Sequence, residues 1–354
     1  MSCLLAFQEV IARTLHRMFG TLLEVLLLVA DRAWSLTGIH DGAGGPDPIE
    51  SQEVKPMDSS RWQPSLRIVL LTGMFCAMQL HAEERKVDPT FLYRGTFAVQ
   101  AEKSDLTTST CHYKPLFGKG APDTSVVVGV ARYGEAAIDA NGECATVQYP
   151  EEDQVYVVIE GKGAAKYGNE VVPLNTEDYL YLPSTIPHTL VNHSGSPMVV
   201  VVMGFHTQGF EKTQLPAHPL KANIEDVPTG LVSGHPSSTL YRLLMGDVDS
   251  KRDRLAAGHV LTSLFVMEIA PGGTNFPHHH EREEEIYLVL SGHGVMVAGG
   301  GMDGVEGRHP AKAGDAYFFR LNCTVGYYSA PNVKSRILAV RSWYPGMQQK
   351  GAKH

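Results

Sequence analysis

Cysteine is scarce in this chain and poorly spaced for metal. Five occur in 354 residues, at positions 3, 76, 111, 144 and 323, and no two form a CxxC pair. A cysteine zinc site and a dense disulfide framework are thereby excluded. Charge is thin as well, at 19% of residues, and it leans acidic: 30 Lys+Arg stand against 38 Asp+Glu, a net charge of −8. No basic block is present, so the footprint of a nucleic-acid binder is missing. Apolar runs fall short of the ~20 residues that a membrane-spanning helix needs. Glycine and proline, by contrast, are abundant at 35 and 21 residues, which favours a turn-rich, strand-dominated fold over a helical bundle. A hydrophobic fraction of 43% excludes disorder for the bulk of the chain. Domains of ~100–200 residues make two units plus extra segments the natural organisation.

The N-terminal region reads as a processing segment. Arg61 and Arg67 precede an apolar core, Ile68–Leu80, which is followed by Leu80-His81-Ala82. Basic start, short apolar core and small-residue cut site are the layout of a secretory signal over 57–82, with Met57 as its start and a mature chain beginning near Glu83. Residues 1–56 then form an over-extended or disordered N-terminus. The alternative is an uncleaved amphipathic anchor or arm. The expected location is periplasmic or extracellular, with no stable membrane insertion once the signal is removed. The mature chain keeps Cys111, Cys144 and Cys323. An odd count leaves at least one thiol or an external partner, and Cys111 with Cys144 is the pair that falls within one unit.

From Val126 onward, β-rich runs alternate with Gly/Pro/Asn turns, as in SVVVGVARYG, QVYVVIEGKG and IYLVLSGHG. These are strand signals. The order is repeated. Residues 137–163 lie on 268–294 without a gap at an offset of 131, so that Tyr156 meets Tyr287, Gly161 meets Gly292 and Gly163 meets Gly294. Further on, Asp178 meets Asp315 once six extra residues in VAGGGMDGVEG are allowed. The expected units are therefore 83–206 and 255–344, joined by a linker over 207–254 and followed by a tail over 345–354. Within the linker, SSTLYRLL reads as a short helix and VDSKRDRLAAG as an exposed charged approach.

In the second copy Gly272, His278, His280, Glu285 and Gly292 fit G(x)5HxH(x)4E(x)6G at every position. This resembles the first motif of the cupin family, and the resemblance covers about two thirds of the chain. It implies an all-β bicupin, two tandem jelly-roll (double-stranded β-helix) barrels behind a non-globular N-terminal extension. Side-chain alternation along a strand points His278 and His280 the same way and His279 the other, and Glu285 can fall beside them. Two imidazoles and a carboxylate suit one divalent transition metal, Fe(II) or Mn(II) foremost, with Ni or Zn as further options. Glu284 is the rival carboxylate, and Gly292, seven residues after Glu285, favours the latter.

Departures from the family pattern limit what the resemblance carries. In the first copy Val147, Tyr149 and Gln154 replace the two His and the Glu, although His188 of the second motif remains. That barrel is expected to be metal-free, with His188 as a hydrogen-bonded core residue. In the second copy Arg320 replaces a motif proline and Val325 the expected His, leaving three ligands. Tyr327 shares strand parity with Val325 and is a candidate acid near substrate; its alternative is an aromatic in the barrel core. Arg320 is a candidate for steering a carboxylate, or else an ordinary salt-bridge residue. The resemblance implies an enzyme of dioxygenase, decarboxylase or isomerase type acting on a small polar or carboxylate-bearing molecule. The alternative is a non-catalytic small-molecule, sugar-binding or storage-type cupin, and a homodimer through β-edges is possible in either case.

Overall fold

Turn residues divide the chain into short strands, seen in a computed structural model that describes residues 91–122, 126–184, 186–210, 216–300 and 305–347. The expected signal segment 57–82, residues 1–56 and most of the tail lie outside the described residues. Ten strands lead to the middle of the chain: β1 (Phe91–Gly95), β2 (Cys111–Gly118), β3 (Val130–Ile138), β4 (Glu152–Glu160), β5 (Lys162–Tyr167), β6 (Glu170–Asn175), β7 (Asp178–Leu182), β8 (His188–Val191), β9 (Met198–His206) and β10 (Leu220–Asn223). Nine follow: β11 (Thr239–Asp247), β12 (Leu255–Gly258), β13 (Leu261–Ile269), β14 (Glu283–Ser291), β15 (His293–Gly300), β16 (Val305–Lys312), β17 (Asp315–Phe319), β18 (Cys323–Ser329) and β19 (Ser335–Trp343). The β4–β5 and β14–β15 turns hinge on Gly161 at φ 83° and Gly292 at φ 84°, a backbone region that side-chain-bearing residues seldom enter. The duplicated glycines are thus demanded by geometry.

Each copy closes as a large sheet over a three-stranded one. The first barrel has the order β10-β7-β4-β9-β3-β2 over β6-β5-β8, and the second β1-β17-β14-β19-β13-β11-β12 over β16-β15-β18. This is the all-β, double jelly-roll arrangement expected. Cys111 and Cys144 form a disulfide beside the first barrel, and Cys323 is a buried thiol.

The region expected to be a linker is organised otherwise. Part of it, β10, is an edge strand of the first barrel, pairing Asn223 with Asp178 of β7. β11 and β12 belong to the second. In return β1, which precedes the first copy, pairs Gly95 with Asp315 of β17 in the second. The two arms are fixed alike: Asn223 Nδ2 donates to Asp178 Oδ1 and Tyr93 Oη to Asp315 Oδ1, each at 2.9 Å. The SSTLYRLL segment is strand, not helix. From Thr239 onward it forms β11, which lies between β13 and β12 and pairs with β13 from Thr239↔Ile269 to Gly246↔Ser263, and these ladder bonds override a helical pattern too short to stand alone.

Strand parity sorts the apolar residues into three cores. One row of β4, β7 and β9 (Val155, Tyr181, Met203) meets the matching row of β14, β17 and β19 (Ile286, Phe318, Val340) in a shared seam between the large sheets. The opposite rows fill each barrel, with Tyr156 and Val158 in the first and Tyr287 and Val289 in the second. A reciprocal clasp crosses the seam. Asp153 Oδ2 accepts the N–H groups of His259 at 2.7 Å and Val260 at 2.8 Å, and its Oδ1 accepts Tyr181 Oη at 3.0 Å. At the position equivalent by the 131-residue offset, Glu284 accepts the N–H groups of Gly129 at 2.7 Å and Val128 at 3.2 Å. Burial raises both carboxyls, Glu284 to about 7 despite those hydrogen bonds.

Removing one end of this clasp strands buried N–H groups. Asp153→Ala is expected to lower the unfolding free energy by about 2–4 kcal/mol, measured by urea denaturation. Asp153→Asn, which keeps one acceptor oxygen, should cost less.

Candidate metal centre

The site is built where the chain enters β14. His278 is locked to β18 by a pair of backbone bonds with Val325, at 2.9 and 2.8 Å. Its Nδ1–H donates to the Phe276 carbonyl at 2.9 Å, which fixes the tautomer and leaves Nε2 as the available donor. His279 turns outward and is exposed. His280 turns back, with its ring 5.0 Å from that of His278 and nearly perpendicular to it. Its Nε2 stands 3.2 Å from Glu285 Oε2. One ligand atom from each of His278, His280 and Glu285 falls within a 4.8 Å cluster. Glu284, one residue earlier, faces the seam instead.

The electrostatics favour a cation. Burial alone would raise the Glu285 carboxyl, but His280, Arg341 and His278 together outweigh it and hold the group below its ordinary value. Burial lowers the His278 imidazole, keeping it neutral and able to coordinate, against the opposing pull of Glu285. His280 Nε2 and Glu285 Oε2 are shut off from solvent and face only each other, at 3.2 Å. A buried nitrogen and a carboxylate oxygen with no partner but each other, beside a third neutral donor, fit a divalent ion with open positions.

These groups open into a small cavity of about 40 Å³, lined also by His235, Tyr241, Phe265, Tyr287, Arg252 and Arg341. At its wall, Tyr287 Oη is held by Asn275 Nδ2 at 3.0 Å. The two residues expected to act on substrate do not line it. Tyr327 is buried in the barrel core with its Oη 2.9 Å from Ser335 Oγ, so correct parity places it at the wrong depth. Arg320 follows β17 on the seam side, where its electrostatic partner is Glu284.

Sequence reading missed Arg341, Arg252 and Tyr241. Arg341 left a signal: it shares strand parity with Ile337 and Ala339, both in the inner core, and a charged residue in an inward row is unusual. Arg252 lay in the stretch expected to be an exposed approach. Tyr241 was hidden by the helical reading of its segment.

The first barrel fills the equivalent space with protein. Arg132 lies over the Tyr149 ring at 3.6 Å. Its Nε and Nη2 donate to Glu152 at 2.9 Å each, and its Nη1 to both oxygens of Asp105 at 3.2 Å. A guanidinium saturated by two carboxylates occupies the neighbourhood of Val147, Tyr149 and Gln154. His188 lies alongside, accepting from or donating to Tyr156 Oη at 2.8 Å.

Comparison with known proteins agrees with this architecture. A family model described as Cupin domain matches residues 138–204 and 265–339. The chain belongs to the cupin superfamily. It is a bicupin, with one cupin domain in each copy. No curated protein matches it in sequence. Among solved structures, the putative glyoxylate induced protein from Pseudomonas aeruginosa is similar at TM-score 0.60 and 15% identity, over 75% of this chain and 94% of that one. Protein Ylba from E. coli is similar at TM-score 0.56 and 14% identity, over 77% and 98%. The oxalate decarboxylase of Bacillus subtilis, described with Mn(II) centres, is similar at TM-score 0.54 and 11% identity, over 73% and 78%. At these identities the likeness is one of fold.

Burial holds the His188 imidazole down to about 4 from its ordinary 6.5. A depressed histidine is neutral in the fold, so its contribution is present above the ordinary value and is lost as pH falls toward the folded one. Stability should therefore drop by about 3 kcal/mol between about pH 6.5 and 4 on this account. Urea titrations across that range should show a flatter profile for His188→Gln.

Proposed function

We propose that this bicupin is an exported, metal-dependent enzyme acting on a small polar or carboxylate-bearing molecule, of decarboxylase, dioxygenase or isomerase type. The observation that carries the reading is the convergence of His278, His280 and Glu285 on one end of a lined cavity. Mn(II) or Fe(II) is the proposed ion; the donor set suits both, and Mn(II) is the metal named for the Bacillus subtilis oxalate decarboxylase. When bound, such an ion supplies Lewis acidity toward a substrate oxygen. The chain's own residues do the rest. Phe276 and Glu285 orient the imidazoles, Phe265 and Tyr287 line the wall, and Arg252 and Arg341 supply positive charge at the same cavity. Open coordination favours catalysis over storage or simple binding, since structural metal sites are closed by protein ligands.

Export is supported by the layout of residues 57–82 and by the Cys111–Cys144 disulfide, a bond that persists in oxidising compartments. N-terminal sequencing of the exported protein is expected to begin near Glu83; a start upstream of residue 57 counts against cleavage at that site.

The metal reading is tested by elemental analysis. Purified protein is expected to hold roughly one divalent ion per chain. The double variant His278→Ala/His280→Ala should lose it while retaining its β-sheet circular dichroism, and His188→Ala should retain the metal. Unchanged stoichiometry in the double variant rejects the site.

A further inference from the structure

Around the cavity, His280 Nε2 and Glu285 Oε2 face only each other, and Arg341 Nε and Tyr241 Oη have no hydrogen-bond partner. A cation accounts for the first two, which offer lone pairs. It cannot account for the Arg341 N–H, a donor without lone pairs, and the Tyr241 O–H is a second donor without an acceptor. Leaving such donors buried and unpaired is costly, so the cavity wall is short of a negatively charged or strongly accepting group.

The duplicated barrel gives the scale of that shortage. In the first copy every nitrogen of Arg132 is used by Glu152 or Asp105. In the second, Glu283 replaces Glu152 at the 131-residue offset and takes only Nη1 of Arg341, at 3.1 Å. No second carboxylate reaches Arg341 among the described residues. The guanidinium is nevertheless held in place, 5.7 Å from the Phe265 ring centre. Arg252 adds a second positive charge at the same cavity, its Nη2 tethered to Ser263 Oγ at 3.1 Å. Two guanidiniums thus line the cavity, Arg252 paired through Nε with Asp253 Oδ2 at 3.1 Å and Arg341 through Nη1 with Glu283, while the one carboxylate in the lining, Glu285, is committed to the ligand cluster.

We infer that Arg341 and Tyr241 form the receptor for a substrate carboxylate, so that the enzyme takes small organic carboxylates and rejects their neutral isosteres. The inference rests on the metal-site reading above and narrows its substrate class. Arg341 gives charge and a planar donor edge, and Tyr241 a neutral donor. Arg252 draws the anion inward. The cavity, about 40 Å³, lies well below the usual range of ligand pockets and limits the substrate to a few heavy atoms. Arg341 and Tyr241 are binding and specificity residues, and neither is needed to hold the ion.

The test uses the full chain loaded with Co(II), with glycolate as probe and glycolamide as its neutral isostere, both titrated calorimetrically. Metal content is measured in every sample. Glycolate is expected to bind at least tenfold more tightly than glycolamide. Arg341→Met should abolish that preference with Co(II) content unchanged, and Tyr241→Phe should weaken glycolate severalfold, again with full metal. Should Arg341→Met fail to fold, Tyr241→Phe and the wild-type preference still decide. Glycolate binding no tighter than glycolamide, or undiminished in the variants, overturns the carboxylate receptor while leaving the metal site standing. Wild-type protein that takes up no Co(II) rejects the metal reading and this inference with it.

Discussion

Along β14, successive side chains face opposite ways, and at Glu284 and Glu285 that alternation sends two adjacent carboxylates to different surroundings. Glu284 joins Ile286 and Leu288 on the seam, where backbone N–H groups of the first barrel receive it. Glu285 joins Tyr287 and Val289 inside the second barrel, where His280 and His278 meet it. A slip of one residue would exchange them. The ligand set would then lose its carboxylate, and the clasp would inherit one aimed at the wrong sheet. Register is therefore the condition for both stability and chemistry. It is held on each side, by Glu285↔Phe319 with β17 and Glu285↔Arg341 with β19. The second of these pairings also explains why Arg341 stands beside the site: it is the cross-strand neighbour of the carboxylate ligand.

The two barrels meet one electrostatic problem in different ways. Acidic side chains near the barrel mouth are costly unless a cation is close at hand. In the first barrel the cation is Arg132, part of the chain, permanently charged and hydrogen-bonded at every nitrogen. Gly204 makes this possible, since a Cβ there would lie 2.9 Å from Arg132 Cγ. In the second barrel the corresponding arginine comes from the neighbouring strand, and the position of Arg132 is taken by Ser263. The guanidinium withdraws from the centre of the cavity and leaves the His-His-Glu cluster open. A modest rearrangement of one arginine separates a filled barrel from one with room for an ion and a ligand.

Much of this was legible in the chain. The HxH spacing and the following Glu determined which side chains share a face, because alternation is a local property. The offset of 131 was equally informative: it pairs Asp153 with Glu284 and Tyr156 with Tyr287, and those residues take equivalent places. What escaped reading depended on distant partners. β10 is four residues, LKAN, with no apolar period of its own, and it is a strand because β7 offers an edge. β11 was mistaken for a helix for the same reason. Tyr327 illustrates a different limit: parity gives the face of a strand but not the depth inside a closed barrel, and Ser335, rather than the cavity, meets its hydroxyl.

The first barrel, though it lacks the ligand set, is structurally tied to the site in the second. Its large sheet covers the apolar face of β14, β17 and β19, and without that cover Ile286, Phe318 and Val340 would meet water. Its Val128–Gly129 turn binds the carboxylate immediately before Glu285. The exchanged strands extend the same dependence: β1 closes the sheet edge at β17, the strand that pairs with the start of β14. A duplicated chain that trades its leading strands cannot lose one half and keep the other intact, because each half then exposes an unpaired edge and an uncovered face. Such coupling explains how a barrel can shed its ligand residues, fill its cavity with an arginine, and still be required for the geometry of its twin.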